Sequence, residues 1–238
     1  PANFNEKNLK QYKVIIFLNT TGNVLNDAQQ NAFERYIQAG GAFMGIHAAT
    51  DTEHDWPWFI KLAGGEFMSH PGRPNVQMGK MNVLDNKHIS TAHMPVSFEH
   101  KDEFYDFKNF NNDVKVLVTV DEKSYKDGKM GDHHPMSWYH EFDGGRVFYT
   151  ELGHTDESYS DPLYLKHILG GIKYAMGDNT SDYKKAHTAL APDEKGFTKT
   201  QLVQGTFFEP TELTVLPNLD VLVSQRRGEI YYYNNETK

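Results

Sequence analysis

Twelve histidines and no cysteine are spread over 238 residues. The chemistry such a chain can offer is that of imidazole and carboxylate: general acid/base work, or a divalent ion held by nitrogen and oxygen. Disulfides, thiolate zinc sites and a cysteine nucleophile are excluded. The most telling histidine is His47, in Gly45-Ile46-His47-Ala48-Ala49. The apolar run Ala42-Phe43-Met44 precedes it and the turn-like Thr50-Asp51-Thr52 follows, which reads as a strand running into a sharp loop. In α/β enzymes such an elbow presents a Ser or Cys nucleophile at the carboxyl edge of a sheet. Imidazole is a poor acyl nucleophile but a good general base or metal ligand.

Further candidates carry two readings each. Asp51 can orient the His47 ring, bind a sugar hydroxyl or cap a turn. His154 follows the strand-like run 147–152 and Gly153, and is either a site group or a turn residue. His70 and His134 each precede a proline, which favours extended loop geometry. Glu103, in Asp102-Glu103-Phe104-Tyr105, is an acid/base or sugar-binding carboxylate, or part of a solvated acidic face. Trp56, Trp58 and Trp138 can stack on a pyranose ring or sit partly buried, and Arg146 can face substrate or pair with an acid of the sheet. A His–His pair with carboxylates serves acid/base work or holds a divalent metal, with His47, His70 and His154 as candidate ligands.

The elements that must position these groups are readable from periodicity. The continuous apolar run 14–18 suits a strand buried on both faces of a parallel sheet. Asn26 can cap a helix over about 27–39 whose buried face carries Ala28, Ala32, Phe33, Tyr36 and Ile37, with Gly40 past its end. Strands follow at 42–46 and 114–120, and 76–85 reads as part of a smaller antiparallel layer. Asp143-Gly144-Gly145 is a hairpin turn between strands at 136–142 and 146–152. Asp161 and Pro162 open a helix with Leu165, Ile168, Leu169, Ile172 and Ala175 as its stripe, closed by Gly177. The expected organisation is an α/β domain over 1–177, a polar linker over 178–199, and short strands over 200–238 like those of one propeller blade. Both ends read as cut: a central-type strand opens the chain without a partner, and one blade cannot bury its own face.

A formal charge of −8 argues against nucleic acid as a partner, and no stretch is long and apolar enough to span a membrane. No signal peptide is visible. A polar small molecule such as a sugar, or a divalent ion, suits this composition.

The run 40–52 resembles the trehalose-utilisation (ThuA-like) family. So do Trp56-Pro57-Trp58, Ser69-His70-Pro71, Asp102 to Tyr105, His134-Pro135, Gly144-Gly145-Arg146 and Tyr149 to His154, over about residues 1–176. The resemblance implies a flavodoxin-like, class I glutamine amidotransferase-like fold, a parallel sheet with helices on both faces. It implies a saccharide partner, a disaccharide or a keto-sugar derivative, and a hydrolase or lyase. His154 then resembles the amidotransferase histidine and Glu157 its acidic partner. With His47 at the elbow, glutaminase chemistry is excluded. Catalysis is thereby expected from His47, His154, Asp51 and Glu157, and substrate contacts from Trp56, His70, Glu103, His134, Arg146 and Tyr149. Members of the family begin with a strand carrying Phe-Arg-His, which this chain lacks. The tail 208–228 looks like the opening of a glucose/sorbosone dehydrogenase-type propeller. That resemblance implies periplasmic or secreted residence, with the quinone cofactor PQQ confined to the remainder of the propeller. The rival reading is a non-catalytic carbohydrate-binding or scaffolding domain beside a sugar dehydrogenase.

Overall fold

Asn26 Oδ1 accepts a hydrogen bond from the Gln29 backbone N–H while Gln29 Oε1 accepts one from the Asn26 N–H, a reciprocal cap that opens α2 (Asp27–Gln38). It is flanked by β1 (Val14–Leu18) and β2 (Ala42–Ile46), which pair in parallel. The computed structural model describes residues 3–178, 180–190, 202–203 and 207–237. The other elements of its first unit, Pro1–Ala191, are α1 (Glu6–Leu9), α3 (Pro57–Ala63), β3 (Glu66–Ser69), β4 (Val76–Val83), β5 (Ser97–Glu103), β6 (Asp106–Lys108), β7 (Lys115–Asp121), β8 (His134–Phe142), β9 (Gly145–Thr150) and α4 (Pro162–Met176).

The main sheet has the order β1-β2-β9-β8-β7-β4-β5. Only β1–β2 and β2–β9 pair in parallel; every other neighbouring pair is antiparallel. The parallel sheet that the resemblance implies is therefore mixed, and the hairpin read at Asp143-Gly144-Gly145 is part of it. The cause is local: Asp143 and Gly144 both have positive φ, +48° and +93°, and make the two-residue turn that forces β8 to run against β9. Because β8 and β4 are the reversed strands, β1, β2, β9, β7 and β5 still run in one direction, and their carboxyl ends share one edge. The segment expected in a separate antiparallel layer, β4, instead joins this main sheet.

Alternation along the central strands feeds two cores. Phe43, Val147 and Tyr149 face a layer of α2 and α3 side chains, including Phe33, Tyr36, Phe59 and Leu62. Met44 and Phe148 face the other side, with Met136, Leu117 and Tyr164 of α4. Helices thus cover both faces of the sheet's centre. They do not cover β1 fully: it is an edge strand with Phe17 buried but Ile16 and Leu18 exposed, rather than one buried on both faces. Ala28 of α2 is also exposed. On α4, Asp161 and Pro162 open the helix and Gly177 ends it, but Leu165 and Leu169 are exposed. The buried face is Tyr164, His167, Gly170, Gly171 and Ala175, because the helix backbone lies directly against Ser90 and the Phe148 ring at its two glycines.

Residues 180–190 are pinned to α2 rather than free: the Asp182 N–H donates to Ala39, Thr188 Oγ1 to Glu34, and Arg35 to the Thr188 carbonyl. The first unit accordingly runs on past Gly177. The rest of the expected linker, 191–199, lies outside the described residues. The second unit, Pro192–Lys238, contains an antiparallel meander of β10 (Pro210–Val215), β11 (Val221–Gln225) and β12 (Ile230–Tyr233). Three strands are what is seen there; a propeller is not. Among the described residues no helix is long and apolar enough to cross a membrane.

Candidate functional site

His47 is the first residue after β2 and has φ +48°, the left-handed region that costs a non-glycine residue about 1–2 kcal/mol. The turn is tight enough that small residues are needed two positions to either side. A Cβ on Gly45 would lie 2.8 Å from the Tyr149 ring and 3.2 Å from the Ala49 methyl. Three contacts hold the strained residue. Tyr149 OH donates to the His47 carbonyl at 2.6 Å and lies 3.1 Å from Thr50 Oγ1. The Asn19 N–H donates to the Ile46 carbonyl. The His47 ring donates from Nδ1 to the Glu151 carbonyl at 2.8 Å. That last bond fixes the ring's orientation and leaves Nε2 for the site.

Nε2 of His47 faces His154 Nδ1 at 3.1 Å and Glu103 Oε2 at 3.4 Å, and His154 Nδ1 is 3.2 Å from the same oxygen. The three residues come from the ends of β2, β5 and β9, which share an edge. Four strand positions separate β9 from β5, and the curl of the sheet closes that gap. Asp102, fully buried, is the clasp. Its carboxylate accepts the N–H groups of Gly153 (2.8 Å) and His154 (3.0 Å) and is held by His100 (3.1 Å). Asp102 and Glu103 point to opposite sides of the strand. One therefore anchors the turn after β9 while the other enters the site. Asn75 donates to Glu103 Oε1 at 2.5 Å, and His70 Nδ1 lies 3.7 Å from that oxygen. The Tyr105 ring packs on His47, centroid to centroid 4.3 Å. His47 and Glu103 are buried, while His154 and His70 reach solvent, 36% and 40% exposed.

Beneath His47 lies a second carboxyl group, Glu151, with Oε1 at 3.4 Å from Nδ1 and accepting the Tyr105 N–H. Its Oε2 is buried without a hydrogen-bond partner among the described residues. Burial opposes a charge on His47, yet Glu103 and Glu151 override it and raise the imidazole well above its usual range. Burial also opposes charge on Glu103, but His47, Asn75, His154 and His70 hold it down to about 2. Burial pushes Glu151 up, against the pull of His47. Two carboxyl groups thus compete for one cation. Glu103, with Asn75 on its other oxygen, keeps the negative charge, and Glu151 is the group driven toward the neutral acid.

The remaining sequence candidates are placed elsewhere. Asp51 turns away from His47 and pairs with His54 at 3.0 Å, whose other nitrogen meets Glu66. Glu157 is exposed and makes no hydrogen bond or ion pair among the described residues, so it is not the acidic partner of His154. The turn over Asp156–Ser160 buries Ser158 instead and leaves Glu157 on its outer side. Trp56 is a core residue, stacked on Trp58 and Phe59 and donating to Glu34. Trp138 is fully buried, with its N–H on the Ala63 carbonyl. Arg146 is the second residue of β9, at the opposite edge of the sheet, over the Tyr174 ring. Tyr149 supports His47 from within the core. His134 is fully buried behind Tyr105, donating from Nε2 to its carbonyl at 2.8 Å.

Sequence reasoning missed Asp102, Tyr105, Asn75 and Glu151. For Glu151 a signal exists: it is the one ionisable acid in the apolar run Val147–Leu152, where a solvated role is ruled out.

Among the described residues two groups of three donors are compact enough to hold an ion: His47, Glu103 and His154, and Asp106, Glu122 and His134.

Residues 1–175 match the model of the ThuA family, described as trehalose utilisation. A ThuA-like protein from Bacteroides uniformis is 30% identical and superposes with a TM-score of 0.62 over 72% of each chain. One from Parabacteroides merdae is 20% identical, with a TM-score of 0.58 over 71% of each chain. A cytoplasmic protein of Salmonella typhimurium is similar in fold alone, 10% identical with a TM-score of 0.52 over 71% of this chain and 74% of that one. No curated protein matches the sequence.

Proposed function

Because the chain belongs to the trehalose-utilisation (ThuA) family, we propose that its first unit processes a saccharide by acid/base chemistry at His47, His154 and Glu103. The observation that carries this reading is the convergence of the two imidazoles and the carboxylate within 3.4 Å at a solvent-reached sheet edge. The substrate class is a disaccharide or its 3-keto derivative. A carbonyl at C3 acidifies the neighbouring C–H. His154, the partly exposed member, takes that proton. The electron pair moves into an enediolate whose charge the His47 imidazolium offsets. Expulsion of the glycosidic oxygen, which takes up a proton, completes an elimination. Glu103 orients both rings and balances the cation, as a triad carboxylate does.

The rival, a non-catalytic carbohydrate-binding role, loses two of its three aromatic platforms, since Trp56 and Trp138 are in the core; Trp58 is half-buried and donates its N–H to Asp143, away from the His47 group. The reading of the β10–β12 meander as a propeller blade rests on sequence resemblance; exposed Leu213, Val215, Ile230 and Tyr232 are compatible with it. The test is incubation of the full chain with a panel of disaccharides and their 3-keto forms, analysed for cleavage products. Turnover in the wild type that is lost in His154→Ala supports the proposal. Sugar bound but recovered intact supports the rival and sinks this one.

A further inference from the structure

We propose that His47 Nε2, His154 Nδ1 and Glu103 Oε2 are the three protein ligands of one divalent first-row transition ion. The proposal uses the saccharide reading only for what the ion would do; its evidence is geometric and independent of any sugar. Bonds of about 2.0–2.1 Å, at angles between octahedral and tetrahedral, place neighbouring donor atoms about 2.9–3.4 Å apart. The three separations here are 3.1, 3.2 and 3.4 Å. Its three corners are two ring nitrogens and a carboxylate oxygen, each able to ligate once the ring protons leave, and the Nδ1–H of His47 is already committed to the Glu151 carbonyl.

The surroundings are those of metal ligands. A ligating histidine donates its other N–H to a backbone carbonyl or carboxylate, and His47 has both below it, the Glu151 carbonyl at 2.8 Å and Glu151 Oε1 at 3.4 Å. Glu103 is oriented by Asn75 on the oxygen that does not enter the triangle. His154 is fixed by its backbone N–H on Asp102. Two imidazoles and one carboxylate favour zinc, manganese, iron or cobalt over magnesium and calcium, which take oxygen ligands. Three ligands with one open side, toward the exposed flank of His154, are the arrangement of a catalytic rather than a structural centre. Entry of the ion displaces whatever proton the triangle holds to solvent. The ion can then polarise a substrate carbonyl or hold the enediolate oxygen.

The other compact group fails the same accounting. Asp106 accepts from Lys129 N–H and Ser69 Oγ on its two oxygens, and both nitrogens of His134 are engaged by Tyr105, Tyr125 and Glu122.

The experiment is calorimetric titration of the chelator-stripped full chain with zinc chloride and with manganese chloride, without sugar. Cobalt(II) absorption serves as the coordination readout and circular dichroism as the folding control. We expect one ion per chain, with affinity at least about 100-fold weaker in His154→Ala and Glu103→Gln and unchanged in Glu122→Gln. Because His154 is part-exposed, its alanine variant tests the site without emptying the core. No stoichiometric binding, or equal binding by wild type and His154→Ala, overturns the proposal. Sugar turnover without metal binding would overturn the ion and leave the acid/base reading standing. Stoichiometric binding without turnover on any sugar would do the reverse.

Discussion

Two groups of histidine and carboxylate lie along the same sheet edge and share a residue. Tyr105 gives its N–H to Glu151 in the first group and its carbonyl to His134 in the second. The composition of the groups is nearly the same, but their hydrogen-bond accounting is opposite. Around His134 each ring nitrogen and each Asp106 oxygen has a protein partner, so the group is a strut. Around His47 two ring nitrogens and a carboxylate oxygen face one another, and among the described residues Glu151 Oε2 is buried without a hydrogen-bond partner. The lesson is that residue type and proximity nominate a site, while unmet hydrogen-bonding capacity separates a site from a scaffold.

The sharpest way to break this comparison is Glu103→Gln, which keeps the shape and removes the charge. Turnover of the responsive sugar should fall by about 10²–10⁴-fold, with the thermal midpoint close to wild type. A large loss of stability with intact turnover per folded molecule would mean that the first group is the strut. The mirror experiment is His134→Ala. It strips partners from the Tyr105 carbonyl and the Tyr125 hydroxyl in a fully buried setting, and urea unfolding should show a loss of about 2–4 kcal/mol. Turnover per folded molecule should drop far less than in Glu103→Gln.

A third histidine shows what burial alone does. His167 is fully buried on α4, donating to the Ser90 carbonyl and accepting from Thr150 Oγ1, with His93, His88 and His100 as the titratable neighbours. Burial holds its pKa down to about 4. A folded-state value below the unfolded one means the contribution is present above about pH 6.5 and is lost as pH falls toward 4. The loss amounts to up to about 3 kcal/mol. Denaturation midpoints measured across that window should fall in wild type and flatten in His167→Asn; parallel curves would remove His167 as the cause.

Smaller effects grade the first group outward. Asn75→Ala leaves one Glu103 oxygen unsupported and should lower turnover about tenfold. Asp51→Asn, whose side chain serves His54, should leave steady-state rates within about twofold of wild type; a larger drop would return Asp51 to the site.

What the sequence disclosed is what is local. The Asn26 cap, the Asp143-Gly144 turn and the strand ends that carry His47 and His154 all follow from near-neighbour rules, and those two imidazoles do meet. The partnership of Asp102 with Gly153 and His154 was not legible. It joins positions about fifty residues apart through the curl of a mixed sheet, which no periodicity records. The α4 face follows from its two glycines, which let the helix approach closely, while the bulkier Leu165 and Leu169 stay exposed; a stripe of large apolar residues does not encode that. Trp56 and Trp138 were available as sugar platforms until their N–H groups were seen to have internal acceptors.

The seat of His47 is a property of the backbone, while its occupant is a single side chain. Left-handed φ, small residues two positions away on each side, and a histidine and a carboxylate in front are also what a nucleophile elbow provides. The chain therefore stands one residue from a different catalytic vocabulary. His47→Cys would put a thiol before His154 with no new backbone, and we expect it to react with iodoacetamide at neutral pH faster than a cysteine introduced at an exposed position of the same chain, as in Lys101→Cys. A thiol no more reactive than that reference would show that the seat is specialised for imidazole. Otherwise the reaction class of this architecture can drift across evolution by exchange at one position while the scaffold stays constant.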